Sequence, residues 1–82
     1  MYVVYILKSE QDGSYYVGHT SDLEKRLWHH NSKLNRGWTK KKQPWRVVYT
    51  ERYPSRGEAI KREQEIKSWG INYRKKLVGD VV

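Results

Sequence analysis

The sequence predicts an α/β (α+β) fold with the element order β-β-α-β-α-(α), and three observations predict it. Two runs rich in β-branched and aromatic residues, residues 2–8 and 15–19, flank Asp12-Gly13, a dipeptide that favours a hairpin turn. A third such run spans residues 45–53, centred on Val47, Val48 and Tyr49. In Ser21-Asp22-Leu23-Glu24 and again in Ser55-Arg56-Gly57-Glu58, a serine stands three residues before a glutamate, the reciprocal capping pattern that opens a helix.

The hairpin governs how Tyr5 relates to Tyr16. Side chains alternate faces along a strand, so an even loop keeps both on one face and an odd loop separates them unless a bulge intervenes. A strict two-residue turn at Asp12-Gly13 would set Tyr5 opposite Thr20, roughly 13 Å from Tyr16 at about 3.3 Å per residue. A wider even loop brings the phenols closer and is expected. From spacing alone, ordinary packing on a sheet is the favoured reading of both tyrosines. The first helix, N-capped by Ser21, should reach about Lys33, with Leu23, Leu27, His30 and Leu34 on one stripe and Arg26 at its edge. From residue 35 to 44, Gly37 and Pro44 argue against regular structure. A second helix, N-capped by Ser55, should run to about Trp69 and end at Gly70, and a short helix from Asn72 to about Val78 follows. These elements should pack on the one hairpin.

Within the second helix, Glu63 falls inside the apolar stripe of Ala59, Ile60 and Ile66. Turning a carboxylate toward the sheet costs several kcal/mol unless a cation or strong donors compensate. Two compensations fit: an ion pair with Arg26 or a lysine, or a metal. One carboxylate with water and substrate phosphate is a donor set that Mg²⁺ accepts.

The 82 residues suit one domain, residues 1–82, near the lower size limit for folding without staples. With no cysteine there is neither a disulfide framework nor a thiolate metal site, and the adjacent His29 and His30 do not make a zinc motif. The longest apolar stretch, residues 2–7, is far too short for a membrane span, and nothing resembles a signal peptide, so a soluble, cytoplasmic protein is expected. Lys and Arg number 17 against nine Asp and Glu, a net +8. Much of the excess lies in Lys33, Arg36, Lys40, Lys41, Lys42 and Arg46, interleaved with Trp38 and Trp45. Cations for phosphates and flat rings for bases point to nucleic acid, against the plainer reading of a solvated basic loop.

Taken together, these residues resemble the GIY-YIG nuclease domain, in particular the small single-domain UPF0213 subgroup. Val3-Val4-Tyr5 stands at the first family motif and Tyr16-Val17-Gly18 at the second. Asp22-Leu23-Glu24-Lys25-Arg26-Leu27 looks like the helix bearing the catalytic arginine, which points to Arg26. Pro44-Trp45-Arg46-Val47-Val48-Tyr49, then Glu58-Ala59-Ile60-Lys61-Arg62-Glu63, is similar to the subgroup's later segments, with Glu63 at the metal-binding glutamate. The resemblance implies a three-stranded antiparallel sheet flanked by two to three helices. It also implies hydrolysis of DNA phosphodiester bonds with a divalent metal, Mg²⁺ or Mn²⁺, held by Glu63. Arg26 would complement phosphoryl charge, and Arg26 and Glu63 would both turn toward the sheet face that the tyrosines share. One of Tyr5 and Tyr16 would activate or orient the water, and the other would position the phosphate. His30 matches a position that relatives fill with tyrosine or histidine, and is read as a site residue. His19 replaces a lysine of some relatives; it would bind phosphate or share proton transfer, or be an edge-strand histidine without a role. Asn72 is read as a helix cap before a supporting asparagine. The partner is DNA, branched or single-stranded forms included, with the oligomeric state open. The alternative is a nucleic-acid-binding module of the same fold with weak or absent nuclease activity.

Overall fold

β1 (Tyr2–Ser9) is the central strand of a three-stranded antiparallel sheet, hydrogen-bonded to β2 (Tyr15–Thr20) on one side and β3 (Trp45–Tyr53) on the other. The computed structural model describes residues 1–34 and 37–79, Trp38 by its backbone alone. The run Val3-Val4-Tyr5-Ile6-Leu7 is apolar without alternation, the pattern of a strand covered on both faces. Both faces are covered. α1 (Leu23–Asn31) packs Leu23 and Leu27 on the face of Val3, Tyr5 and Leu7. α2 (Arg56–Ser68) and α3 (Ile71–Val78) cover Val4, Ile6 and Val17 on the other, through Ala59, Ile66, Leu77 and Val78. The order β-β-α-β-α-α is the expected one.

In the hairpin, the last pair is Lys8 with Tyr15, which leaves the even stretch 9–14 between the strands. Ser9 Oγ accepts from the Gln11 N–H at 3.1 Å, and Asp12 Oδ1 accepts from the Ser14 N–H at 2.9 Å. Gly13 completes the turn at φ 76°, a conformation glycine adopts without a steric cost. Between β1 and β3 the register shifts after the Ile6–Tyr49 pair, so that Leu7 faces Val47. That bulge turns Val47 and Trp45 to the tyrosine face while Tyr49 and Val48 stay on the α2 face.

The first helix is capped one residue later than expected. Thr20 Oγ1 accepts from the Asp22 N–H at 3.1 Å and holds Asp22 extended, so Asp22, not Ser21, is the N-cap, its Oδ1 accepting from the Lys25 N–H at 3.1 Å. The helix also stops at Asn31, short of Lys33, and leaves Leu34 76% exposed instead of on the stripe. Asn31 is taken over by β3, donating to the Trp45 carbonyl at 3.0 Å and accepting from the Trp45 N–H at 2.6 Å. Gln43 Nε2 satisfies the free carbonyls of His30 and Ser32 at 2.7 and 2.8 Å. Residues 38–42, expected to be irregular, form a short 3-10 turn. Ser55 caps α2 as expected, accepting from the Glu58 N–H at 3.3 Å. α2 ends at Ser68, and Gly70 serves instead as the N-cap of α3, which places Asn72 inside that helix rather than at its cap.

One polar cluster ties α2 to β3. Glu51 accepts from Arg62 Nε at 2.8 Å, from Arg62 Nη2 at 3.0 Å and from the hydroxyls of Tyr53, at 2.6 Å, and Tyr49. Burial alone would raise the Glu51 carboxyl; these donors outweigh it and hold it at about 2.

Candidate active site

Tyr5 and Tyr16 share a face, as the even loop requires. Tyr5 pairs with Gly18 and Leu7 with Tyr16, which puts the two tyrosines on a diagonal with ring centroids 6.3 Å apart. The Tyr5 phenol lies directly over Gly18. A Cβ at that position would sit 2.6 Å from the Tyr5 oxygen, so the close approach requires glycine there. Into the same cluster α1 delivers His30, 5% exposed, with Nε2 3.3 Å from the Tyr5 oxygen and its ring 4.7 Å from that of Tyr16. His30 Nδ1 lies 3.1 Å from the Thr39 hydroxyl.

Burial sets the protonation of this cluster. Tyr5 is 2% exposed, and its phenol is pushed well above the ordinary value, chiefly by desolvation and then by Tyr16 and Glu63, with Arg26 opposing. His30 is held down to about 4 by desolvation, then by the charges of Arg26 and His29. A neutral phenol and a neutral imidazole therefore meet at neutral pH. The unfolded chain binds the His30 proton near pH 6.5 and the folded chain only near 4. The stability contributed by neutral His30 is thus complete above pH 6.5 and is lost as pH falls toward 4, by up to about 3 kcal/mol. Glu51, lowered to about 2, and Glu63, also lowered, begin to lose their own contributions only as pH falls through the unfolded carboxyl value of 4.5, at the bottom of that window. His30→Gln should flatten the fall in urea-unfolding stability between pH 6.5 and 4; an unchanged slope would refute the assignment.

Arg26 is exposed on α1 and borders two clefts beside the end of β2. One, of about 500 Å³, is lined also by Thr20, Ser21, Asp22, Lys25 and His29; the other, of about 200 Å³, by Tyr2, His19, Thr20, Ser21 and Arg56. His29 is exposed.

Glu63 stands on the opposite side of the sheet from the tyrosines, against the expectation that both turn to one face. The physical reason is β1 itself: its apolar run needs cover on both faces, α1 occupies one, and α2 takes the other. His19 pairs with Val4, points to the α2 face, and its Nδ1 lies 2.6 Å from Glu63 Oε1. Lys67 Nζ donates to Glu63 Oε2 at 2.8 Å, so a lysine and a histidine, rather than Arg26, compensate the carboxylate. Burial would raise the Glu63 carboxyl, but the bonds from Lys67 and His19 bring it below its ordinary value. Through His19, Glu63 stands one hydrogen bond behind the smaller cleft.

The basic segment divides. Lys33, Lys40 and Lys41 are exposed, and Arg46 is exposed with a loose 3.8 Å ion pair to Glu10. Lys42 is turned back on the hairpin, bonded to Asp12 and, at 3.1 Å, to Ser14 Oγ. Trp45 is 3% exposed with its indole N–H donating to the Thr39 carbonyl at 2.7 Å, so its ring is core and no stacking surface. Arg36 and the Trp38 side chain lie outside the described residues. Sequence reasoning missed Thr39, buried against His30, and Lys25 and Arg56, which line the clefts; only their basic charge signalled the last two.

The family model described as the GIY-YIG catalytic domain matches residues 1–76. The chain belongs to the GIY-YIG family. It is 39% identical to a UPF0213 protein of Staphylococcus saprophyticus over 77 residues, covering 94% of this chain and 93% of that one. A UPF0213 protein of Staphylococcus epidermidis is also 39% identical, over 92% of this chain and 90% of the relative. The solution NMR structure of a UPF0213 protein from Bacillus halodurans superposes with a TM-score of 0.61 at 36% identity, covering 96% of this chain and 84% of that one. GIY-YIG is a nuclease family acting on nucleic acid, and its members generally use divalent metals. Among the described residues of this GIY-YIG chain, no three His, Asp or Glu side chains form a metal cluster, and no helix is long and apolar enough to cross a membrane. A single-carboxylate site for a hydrated cation nonetheless fits Glu63. Each of its oxygens accepts one bond and keeps a further lone pair.

Proposed function

We propose that this chain is an endonuclease that hydrolyses DNA phosphodiester bonds with a divalent metal, Mg²⁺ or Mn²⁺. The observation that carries it is the placement, around the end of β2, of the Tyr5–Tyr16–His30 cluster on one face of the sheet, with Arg26 and His19 lining one cleft there and Glu63 one hydrogen bond behind it through His19. When bound at Glu63, the cation supplies Lewis acidity to the phosphoryl group and the leaving oxygen. Arg26, bordering both clefts, complements the charge that builds on the phosphoryl oxygens. Tyr16 is half-buried and is the phenol that water can reach, so it orients the attacking water, while Tyr5 stays protonated and holds its place through His30. His19 lines the smaller cleft and hydrogen-bonds Glu63, which aims the carboxylate. Lys33, Lys40, Lys41 and Arg46 hold flanking phosphates in a cytoplasmic, single-domain protein.

A second reading, binding without cutting, is favoured by one observation: Glu63 is already paired with both His19 and Lys67. The experiment that separates the two incubates the purified chain with nicked, branched, single-stranded and duplex DNA in Mg²⁺, Mn²⁺ or EDTA. Cutting of at least one substrate, abolished by EDTA, is expected; binding with no cutting on any substrate would sink the endonuclease. On the same DNA, Lys40→Ala/Lys41→Ala should reduce the salt slope of binding by about 0.9 for each phosphate no longer neutralised. An unchanged slope would take the 3-10 turn out of the interface.

A further inference from the structure

We propose that Thr39 is a positioning residue that fixes His30 as the Nδ1–H tautomer, so that Nε2 accepts from the Tyr5 hydroxyl. Its catalytic consequence rests on the nuclease reading above; the tautomer itself does not.

Tyr5, His30 and Thr39 form a linear chain of buried groups, 2%, 5% and 5% exposed, linked at 3.3 and 3.1 Å. His30 is neutral at physiological pH, so one ring nitrogen donates and the other accepts, and the partner on one side decides the role of the other. Two arrangements are open: phenol to imidazole to alcohol, or the reverse. A phenol is a far stronger acid than an aliphatic alcohol and so the better donor. Its oxygen lone pair is also partly delocalised into the ring, which makes the threonine oxygen the better acceptor. Phenol to imidazole to alcohol satisfies both preferences, and bonds pointing one way along a chain polarise each other in its favour. The shorter of the two separations is the one to Thr39.

Thr39 is suited to this because its backbone is anchored independently of its hydroxyl. Its carbonyl accepts from the Trp45 indole at 2.7 Å, and the turn that carries it is closed by Lys40 N–H to the Gly37 carbonyl at 3.1 Å. Lys40 and Lys41, exposed, follow it directly. The turn that offers cations to a nucleic acid therefore also orients the imidazole, and Tyr5 turns its proton to His30, which holds the phenol in place beneath α1 and against Tyr16.

The test is two-bond ¹H–¹⁵N NMR of histidine-labelled protein. Nδ1–H is expected for His30 in the wild type and in Thr39→Ser, and a raised share of Nε2–H in Thr39→Val, where the phenol alone sets the balance and the indole anchor keeps the fold. Nε2–H in the wild type, or a tautomer ratio in Thr39→Val equal to that of the wild type, overturns the proposal. In cleavage assays Thr39→Val should cut about 10²-fold more slowly at unchanged DNA affinity, the scale of a small misplacement of a group beside the chemistry, with Thr39→Ser restoring the rate; a shifted tautomer with unchanged cutting overturns the positioning role. If the wild type cuts nothing, the nuclease reading fails alone, because the NMR arms still decide the tautomer.

Discussion

Replacing Glu63 by glutamine should lower metal-dependent cleavage by about 10²–10³-fold, the scale seen when one group stabilising transition-state charge is removed. Glutamine keeps the size of the side chain and one carbonyl acceptor, but loses the charge a hydrated cation needs. Folding should change little. The Lys67 partner is about half exposed, where an ion pair contributes only about 0–1 kcal/mol, and the amide can still accept from Lys67 while its NH₂ donates to the His19 Nδ1. DNA affinity should hold or rise slightly, because a negative charge near phosphates is removed. Cleavage and fluorescence anisotropy on the same DNA separate these outcomes: a rate within twofold of wild type would end the metal role of Glu63, and abolished binding would make it structural.

The second large effect is on stability. Gly18→Ala forces a methyl to 2.6 Å from the Tyr5 oxygen, 2.8 Å from its Cζ and 3.1 Å from Tyr16 Cε1. The Tyr5 ring cannot withdraw easily, since it is almost fully buried beneath α1. Overpacking of this kind costs about 1–3 kcal/mol, which for a domain of this size lowers Tm by about 4–8 °C per kcal/mol. Gly57→Ala is the matched control. That glycine has open space around it and sits in the first turn of α2, so alanine there should stabilise by roughly 0.4–1 kcal/mol. Calorimetry showing equal Tm values for the two variants would contradict the packing of Tyr5 on Gly18.

The strands were legible because each is a local pattern closed by a local signal, and the shared face of Tyr5 and Tyr16 followed from an even loop, although the six-residue length that makes them diagonal neighbours did not. The cap at Asp22 was not, because the choice between two adjacent capping residues is made by the Thr20 hydroxyl, an interaction the Ser-to-Glu spacing does not encode. The end of α1 escaped for a similar reason: Asn31 is drawn off by Trp45, 14 residues later. Of the candidate site, the clustering of His30 with the tyrosines was foreshadowed by its place on the apolar stripe. The side of the sheet taken by Glu63 was also written in the chain, in five consecutive apolar residues of β1, but reading it requires asking how many faces of the sheet need cover. Thr39 carries no periodic signal at all. It lies in a segment whose Gly37 and Pro44 suggested only irregularity, and its burial depends on a turn built from long-range partners.

Gly18 and His19 are consecutive residues that face opposite ways, one receiving the Tyr5 ring and the other reaching Glu63. The two halves of the proposed site are thus separated by one peptide unit, about 3.8 Å between Cα atoms. That spacing is a covalent ruler: helix breathing and changes in loop length leave it alone. Connections elsewhere in such a chain are free to lengthen or shorten, whereas a single residue inserted between 18 and 19 would turn the histidine onto the tyrosine face and away from Glu63.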